Sequence, residues 1–366
     1  MGEVLLGLVI VLALAGVILL RGNRWRTGSL VLAAVATGAL GVDLLAGALA
    51  PQAHGAGSVK TTDPADWLLP QAELGYQPIA NTRVRARETF DGKTVFDRTY
   101  TILADGSRAT APAPAGADTY IFLGDSFMFG EGLADADTLP AQFAREAGLK
   151  VRAVNFSASG WGPNHWVRAL EAGLLDHYRR EPVKAVVTWI IPAHLARVTG
   201  DGGWLGSSPR YVLENGKPRY TGSFTAHRWS DPLAGLRYVA GEQFSFVKAI
   251  GERQRQDEQG ELFIALMLRL RELVREKFNA PLMVVYSWLD DASWPDADVS
   301  PTTHPPLVKL MDRLRAERLP MLFADHETKG YESAELQIPH DGHPSAFANK
   351  LLARELRHRL LDIPLE

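Results

Sequence analysis

The sequence predicts an α/β domain on a doubly wound, mostly parallel sheet, and three observations predict it. Short apolar runs of strand character recur at Tyr120 to Leu123, Val151 to Phe156, Ala185 to Ile191, Leu282 to Ser287 and Met321 to Ala324. Helical patterns such as Thr138 to Ala147 and Pro305 to Arg318 separate them. Parallel neighbours need such crossovers, so strand alternating with helix reads as a parallel sheet. Thirdly, Ser126, Gly160 and His194 each follow one of these runs, and open α/β sheets bind ligands beyond the carboxyl ends of their strands.

The first fifty residues are of another kind. Val4 to Leu20 is uninterrupted and apolar, Arg21-Gly-Asn-Arg24-Trp-Arg26 is a short basic loop, and Thr27 to Ala50 is apolar again except for Asp43. Each stretch is close to the ~20 residues a spanning helix needs. Neither shows the polar face of a surface helix. A two-helix membrane anchor over 1–50 is therefore expected, a buried helical hairpin being the alternative. Arginines between the spans place the loop in the cytoplasm and everything after Pro51 outside. Asp43 reads as a residue near the end of its helix.

Pro51 to Pro70, with Gly55-Ala-Gly57-Ser58 and Asp63-Pro64, reads as a linker. A small β module follows. Thr82 to Phe90 alternates, Asp91-Gly92 is a hairpin signal, and Lys93 to Leu103 alternates before a second turn at Asp105-Gly106. Arg83, Arg85 and Arg87 share one face of the first strand, either as a solvated surface or as a grip for an anionic polymer or headgroup. Ala111 to Gly116 is a hinge into the catalytic part, so the expected parsing is 1–50 anchor, 51–116 linker and β module, and 117–366 catalytic domain. Within the last, 199–260 breaks the pattern and reads as an insertion, with a hairpin signal at Asn215-Gly216 and a partly helical stretch from Leu233 to Gln259.

Composition narrows the chemistry. With 366 residues, 46% of them hydrophobic, there is ample core for one catalytic domain. A formal charge of −3 spread over mixed signs gives no footprint for nucleic acid. The absence of cysteine excludes disulfides and thiolate metal sites. No metal-ligand spacing, phosphate loop or dinucleotide fingerprint occurs, so neither metal nor cofactor is expected.

Three blocks point to the chemistry. Gly124-Asp-Ser126 closes the first strand run, which makes Ser126 a candidate nucleophile. Asn155-Phe-Ser-Ala-Ser-Gly160-Trp-Gly162 closes the second, and Asp341-Gly-His343-Pro precedes a helix-like segment from Ser345 to Leu361. A serine hydroxyl is too basic to attack unaided and needs an imidazole held by a carboxylate. His343 and Asp341 supply both groups. Residues two apart in extended chain point the same way, so Asp341 can reach the imidazole. Asp325, just past another strand, is the alternative acid.

In this order the blocks resemble the GDSL or SGNH hydrolases, a superfamily of esterases, lipases and glycan deacetylases, over about Tyr120 to the C-terminus. That resemblance implies an SGNH-type, flavodoxin-like fold, with Ser126, Asp341 and His343 as catalytic residues. It implies backbone N–H groups of Ser126 and Gly160 as the first two oxyanion donors. Two departures stand out. The commonest family pattern puts the acid three residues before the histidine, where this chain has His340. The third donor is normally an asparagine in a Gly-x-Asn-Asp block, whereas Trp189 to Arg197 contains none, leaving His194 as the substitute donor. Asn155 is read as bonding neighbouring backbone, and Trp161, His165, Trp166 and Trp204 as either core or substrate wall.

The functional expectation is an anchored, extracytoplasmic serine esterase acting on O-acyl, foremost O-acetyl, groups of envelope or exported glycans. Lipid esters are the second substrate class, and acyl transfer to a sugar hydroxyl is a variant of the same chemistry. A non-catalytic binding module on the same scaffold is the contrasting reading, since an asparagine is missing.

Overall fold

The computed structural model describes residues 22, 24–25, 27–34, 36–38, 57–231, 252–287, 305–328 and 330–362, the side chains of 252–257, 305–308 and 325–326 excepted. The first expected span, Val4 to Leu20, and much of the second, with Asp43, lie outside these residues. Among those described, no helix is long and apolar enough to cross a membrane. By contact density the chain divides into one unit of 53–225 and 259–366, and another of 1–52 and 226–258. In the smaller unit, 27–34 and 36–38 are helical.

The larger unit is built on a five-stranded parallel sheet. Its strands are β6 (Thr119–Gly124), β7 (Arg152–Ser157), β8 (Val183–Ile190), β11 (Leu282–Tyr286) and β12 (Met321–Phe323), in the spatial order β12-β11-β8-β6-β7. Renumbered within the sheet, this is the 2-1-3-4-5 order of flavodoxin-like folds, whose topological switch lies between the first and third strands. Here those are β6 and β8, and Ser126 stands at that point.

Both faces are buried, which explains apolar runs rather than alternation. Ile121, Leu123, Phe156, Val186, Ile190 and Val284 pack with Leu262, Phe263, Leu266 and Leu270 of the helix Glu252–Phe278. Tyr120, Phe122, Val187, Trp189 and Val285 point the other way, against Phe143 of the helix Leu139–Glu146 and Leu352 and Leu356 of the helix Ala346–Arg357.

The segment expected as a linker is instead structured from Ser58 on. It contains β1 (Ser58–Asp63) and β2 (Leu68–Gln71), the latter pairing with β3 (Gly75–Pro78). Only Val59 of the six β1 residues is apolar. Its strand structure comes from antiparallel pairing with β4 (Thr82–Phe90), which in turn pairs with β5 (Lys93–Ile102). Long-range pairing of this sort leaves no periodic trace in a polar segment. At the β4–β5 turn, Asp91 and Gly92 take φ of 49° and 75°, as a type I′ hairpin requires.

The β module belongs to the same compact unit as the parallel sheet. Trp67, Val84, Ala86, Phe96, Tyr100 and Ile102 form a common core with Phe129, Leu133 and Ile338. The Arg108 N–H donates to the Asn155 carbonyl at 2.9 Å, bridging the module to β7. Within 199–260, β9 (Pro209–Glu214) and β10 (Lys217–Ser223) form the expected hairpin, with Asn215 and Gly216 at φ 53° and 74°. Most of Leu233 to Gln259 lies outside the described residues.

Candidate active site

Gly124 ends β6, and Ser126 opens a one-turn helix, Ser126–Phe129. A Cβ on Gly124 would come within 2.1 Å of Met128 Cβ, so only glycine lets the helix fold back this tightly over the strand. Asp125 caps the helix, its Oδ1 accepting the Phe127 N–H at 3.0 Å. Ser126 is 7% exposed. Among the described residues its hydroxyl makes no side-chain hydrogen bond, and its own N–H finds no protein acceptor. The Gly160 N–H is likewise unclaimed.

Buried charges hold this turn from beneath. Arg197 Nη1 donates to Asp125 Oδ2 at 2.7 Å and to the Trp161 carbonyl at 2.8 Å. Burial alone would raise the Asp125 carboxyl, but His194 and Arg197 prevail and hold it well below the usual carboxylate range. From the other side, the fully buried Arg108 donates to the carbonyls of Phe129 (2.8 Å), Gly130 (2.6 Å) and Leu133 (2.6 Å), and to Asp135 Oδ1 at 3.0 Å. Its guanidinium lies over the rings of Tyr100 and Phe129. Asn155 bonds neighbouring backbone as expected, Nδ2 donating to the Met128 carbonyl at 3.0 Å.

His194 is where the expectation needs correcting. The residue is fully buried, its Nδ1 accepts the Ile191 N–H at 3.2 Å, and its Nε2 lies 3.2 Å from Asp125 Oδ2. Both ring nitrogens face inward, so His194 braces Asp125 and is not placed to donate to an oxyanion. The short helix Ala193–Val198 beginning just after β8 turns it that way.

Asp341 and His343 come together in a tight loop. Asp341 Oδ1 lies 2.6 Å from His343 Nδ1 and accepts the His343 N–H at 3.1 Å. His340 and Gly342 take φ of 63° and 84°, and the Ile338 N–H donates to the His343 carbonyl at 2.8 Å. That winding brings the carboxylate of a residue only two positions away onto the imidazole. An ionised carboxylate only accepts, so Nδ1 carries the proton and Nε2 is left basic. The ring meets Phe127 edge-on at 5.3 Å, which sets it beside the turn that Ser126 opens. Ser345, not His343, caps the following helix. The side chain of Asp325 lies outside the described residues.

Three ionisable residues passed unnoticed in the sequence. Glu131 Oε2 sits 4.0 Å from His343 Nε2 and accepts the Ser159 hydroxyl at 2.6 Å. Lys60 of β1 pairs with Glu131 at 2.9 Å and with Asp341 Oδ2 at 2.7 Å, and lies 3.7 Å from Glu88 Oε2. Burial would lower the Lys60 ammonium, but the Glu131 and Asp341 carboxylates overcome it and raise its pKa. Burial would likewise lower His343, and Glu131 and Asp341 together raise it. Glu131, Asp341 and His343 lie close enough to suggest a cation site. The Lys60 ammonium already serves both carboxylates, so the grouping is an ion-pair network rather than a metal centre.

Gly160, at φ 82°, is flanked by aromatic groups: a Cβ there would stand 2.6 Å from Trp204 Nε1 and 2.7 Å from Tyr76 OH. Trp161, His165 and Trp166 are buried core, whereas Trp204 is 57% exposed. Of the arginine face, Arg85 is paired with Asp97 at 2.6 Å and Arg87 donates to Thr94 Oγ1 at 3.1 Å.

No protein-family model matches the chain, and neither does any curated protein. Solved structures do match. A member of the lipolytic G-D-S-L family from Veillonella parvula is 11% identical, covering 68% of this chain and 100% of its own, with a TM-score of 0.39. A psychrotrophic esterase, EstA, from Pseudoalteromonas sp. is 13% identical over 67% and 97% of the two chains, at 0.39. A lipase/acylhydrolase from Enterococcus faecalis is 15% identical over 66% and 97%, at 0.35. In its three sequence blocks, and among the solved structures it matches, the chain is similar to the G-D-S-L, or SGNH, hydrolases.

Proposed function

We propose that this chain is a serine esterase of the SGNH type. The observation that carries this reading is the Asp341–His343 pair at 2.6 Å, packed edge-on against Phe127 beside Ser126, with two unclaimed amides on the loops after β6 and β7. Ser126 Oγ attacks the acyl carbon as His343 Nε2 takes its proton, leaving its long approach to Glu131. The tetrahedral oxyanion lies against the N–H groups of Ser126 and Gly160. On collapse, His343 returns the proton to the departing alkoxide and acyl-Ser126 remains. Water, activated by His343 in turn, releases the carboxylic acid and restores the hydroxyl. Asp341 stays ionised throughout and stabilises the imidazolium.

O-acyl glycans are the proposed substrate class. Exposed Trp204 beside Gly160 offers the flat apolar face that a sugar ring stacks on. The setting is extracytoplasmic on a two-helix anchor, supported by Arg21, Arg24 and Arg26 between two apolar stretches. A sugar hydroxyl in place of water would make the same site an acyltransferase.

The test is labelling by a fluorophosphonate probe together with turnover on an ester panel that includes acetylated glycans. Wild type should label and turn over, and Ser126→Ala should do neither while keeping its circular dichroism. Absence of labelling in folded wild type would return the chain to a binding role. An export-dependent reporter fused after Glu366 tests the topology, and activity from a cytoplasm-only reporter would overturn it.

A further inference from the structure

Glu88 stands where the β4 pattern calls for an apolar residue. Val84 and Ala86 share its face and are buried, and Glu88 itself is 1% exposed with Lys60 as its cross-strand partner. The Ser58 hydroxyl donates to Oε1. Oε2 is buried and receives no aligned donor, and the same is true of Asp341 Oδ2. These two buried oxygens border the same Lys60 ammonium, at 3.7 and 2.7 Å, and the two carboxyl groups are within hydrogen-bonding reach of each other.

Two ionised carboxylates cannot bond, because both only accept. One proton between them gives Glu88 Oε2 a partner and Asp341 Oδ2 a second one beside Lys60. We infer that Glu88 is a protonated carboxylic acid in the working enzyme, donating from Oε2 to Asp341 Oδ2 and so positioning the acid that orients His343. The proton sits on Glu88 because Asp341 already has Lys60 and the imidazole to hold its charge, whereas Glu88 has the Ser58 hydroxyl and the more distant side of Lys60. Consistent with this, burial and the Asp341 contact push the Glu88 carboxyl up to about 7. The charged and titratable groups around the pair are Lys60 from β1, Glu131 from the turn after Ser126, and His343 from the 338–345 loop.

The consequence is an upper pH boundary for orientation of the histidine. As Glu88 loses its proton, the hydrogen bond to Asp341 goes with it and a second buried charge repels Asp341, so the acid that orients His343 is no longer held in place. The inference rests on the esterase reading, but its main test does not. In full-length Ser126→Ala, pH-difference infrared spectra should contain the carbonyl stretch of a protonated carboxylic acid at neutral pH, fading as pH rises. Adding Glu88→Gln should abolish that band. A spectrum without a Glu88-dependent band at neutral pH would overturn the inference whatever the enzyme's activity.

Kinetics give the second arm. A hydrogen bond to a charged group is worth ~1.5–3 kcal/mol, so Glu88→Ala should lower kcat by about tenfold or more. Glu88→Gln keeps a donor and should recover most of that loss while removing the decline above neutrality. A Glu88→Gln enzyme as impaired as Glu88→Ala, or one with the wild-type alkaline decline, would equally count against a shared proton.

Discussion

Replacing Asp341 by asparagine tests the proposed chemistry through two independent readouts. The 2.6 Å contact to His343 Nδ1 is charge-assisted, and such a bond contributes ~1.5–3 kcal/mol, or about ten- to a hundredfold in rate. An amide can also present its NH2 to Nδ1 and hold the imidazole in the wrong tautomer, and for triads that combination reaches about 10⁴ in kcat. A loss of at least about a hundredfold is therefore expected. The pH profile moves as well. His343 is raised by Glu131 and Asp341 against the opposing effect of burial, and it must be neutral to act as a base. Removing the Asp341 charge lowers its pKa, so the acid limb of kcat/KM should shift to lower pH even as the plateau falls. Both are read from one pH series of initial rates on a soluble aryl ester, after circular dichroism has shown the variant folded. Near-wild-type kcat, or an acid limb that stays put, would refute the assignment and turn attention to Asp325.

Three further outcomes follow from the same geometry. Arg108→Met removes a buried guanidinium serving three carbonyls and Asp135, so urea unfolding should show a loss of ~3–5 kcal/mol at unchanged m-value; a loss under 1 kcal/mol would mean the β module does not clamp the Ser126 turn. Trp204→Ala should raise KM for a glycan ester by ~5- to 10-fold, the worth of one aromatic stack, with kcat and the KM of a small aryl ester unchanged; equal effects on both substrates would remove the stacking role. Asp125 has a depressed pKa, so its ionisation stabilises the fold above the ordinary aspartate value of ~3.9 and that contribution is lost as pH falls towards the folded value. Arg197→Met weakens the depression and should move acid unfolding, followed by tryptophan fluorescence, to higher pH; an unmoved midpoint would show the pair to be energetically idle.

Much of this molecule was written locally. The five strands of the parallel sheet are largely apolar because both faces are covered, and the two hairpins are marked by Asp91-Gly92 and Asn215-Gly216, which tolerate positive φ. Ser126, Asp341 and His343 stood out as candidates because each follows a strand or precedes a helix in a recognisable block, and the structure brings Asp341 onto His343 beside the Ser126 turn. On sequence alone the two-residue spacing reads as extended chain, whereas the contact is made in a tight loop where His340 and Gly342 take positive φ.

What only the tertiary structure decided concerns groups whose meaning depends on distant partners. β1 is too polar to announce itself, yet its pairing with β4 carries Lys60 to Asp341 and Glu131, residues 281 and 71 positions away. His194 followed a strand, as a site residue should, but the turn after β8 aims both its nitrogens inward. Glu88 left one legible trace, an ionisable residue on the apolar phase of a strand, whose meaning depended on knowing that Asp341 lies opposite. A side chain's type is local, whereas its charge state and direction are set by whatever the fold brings against it.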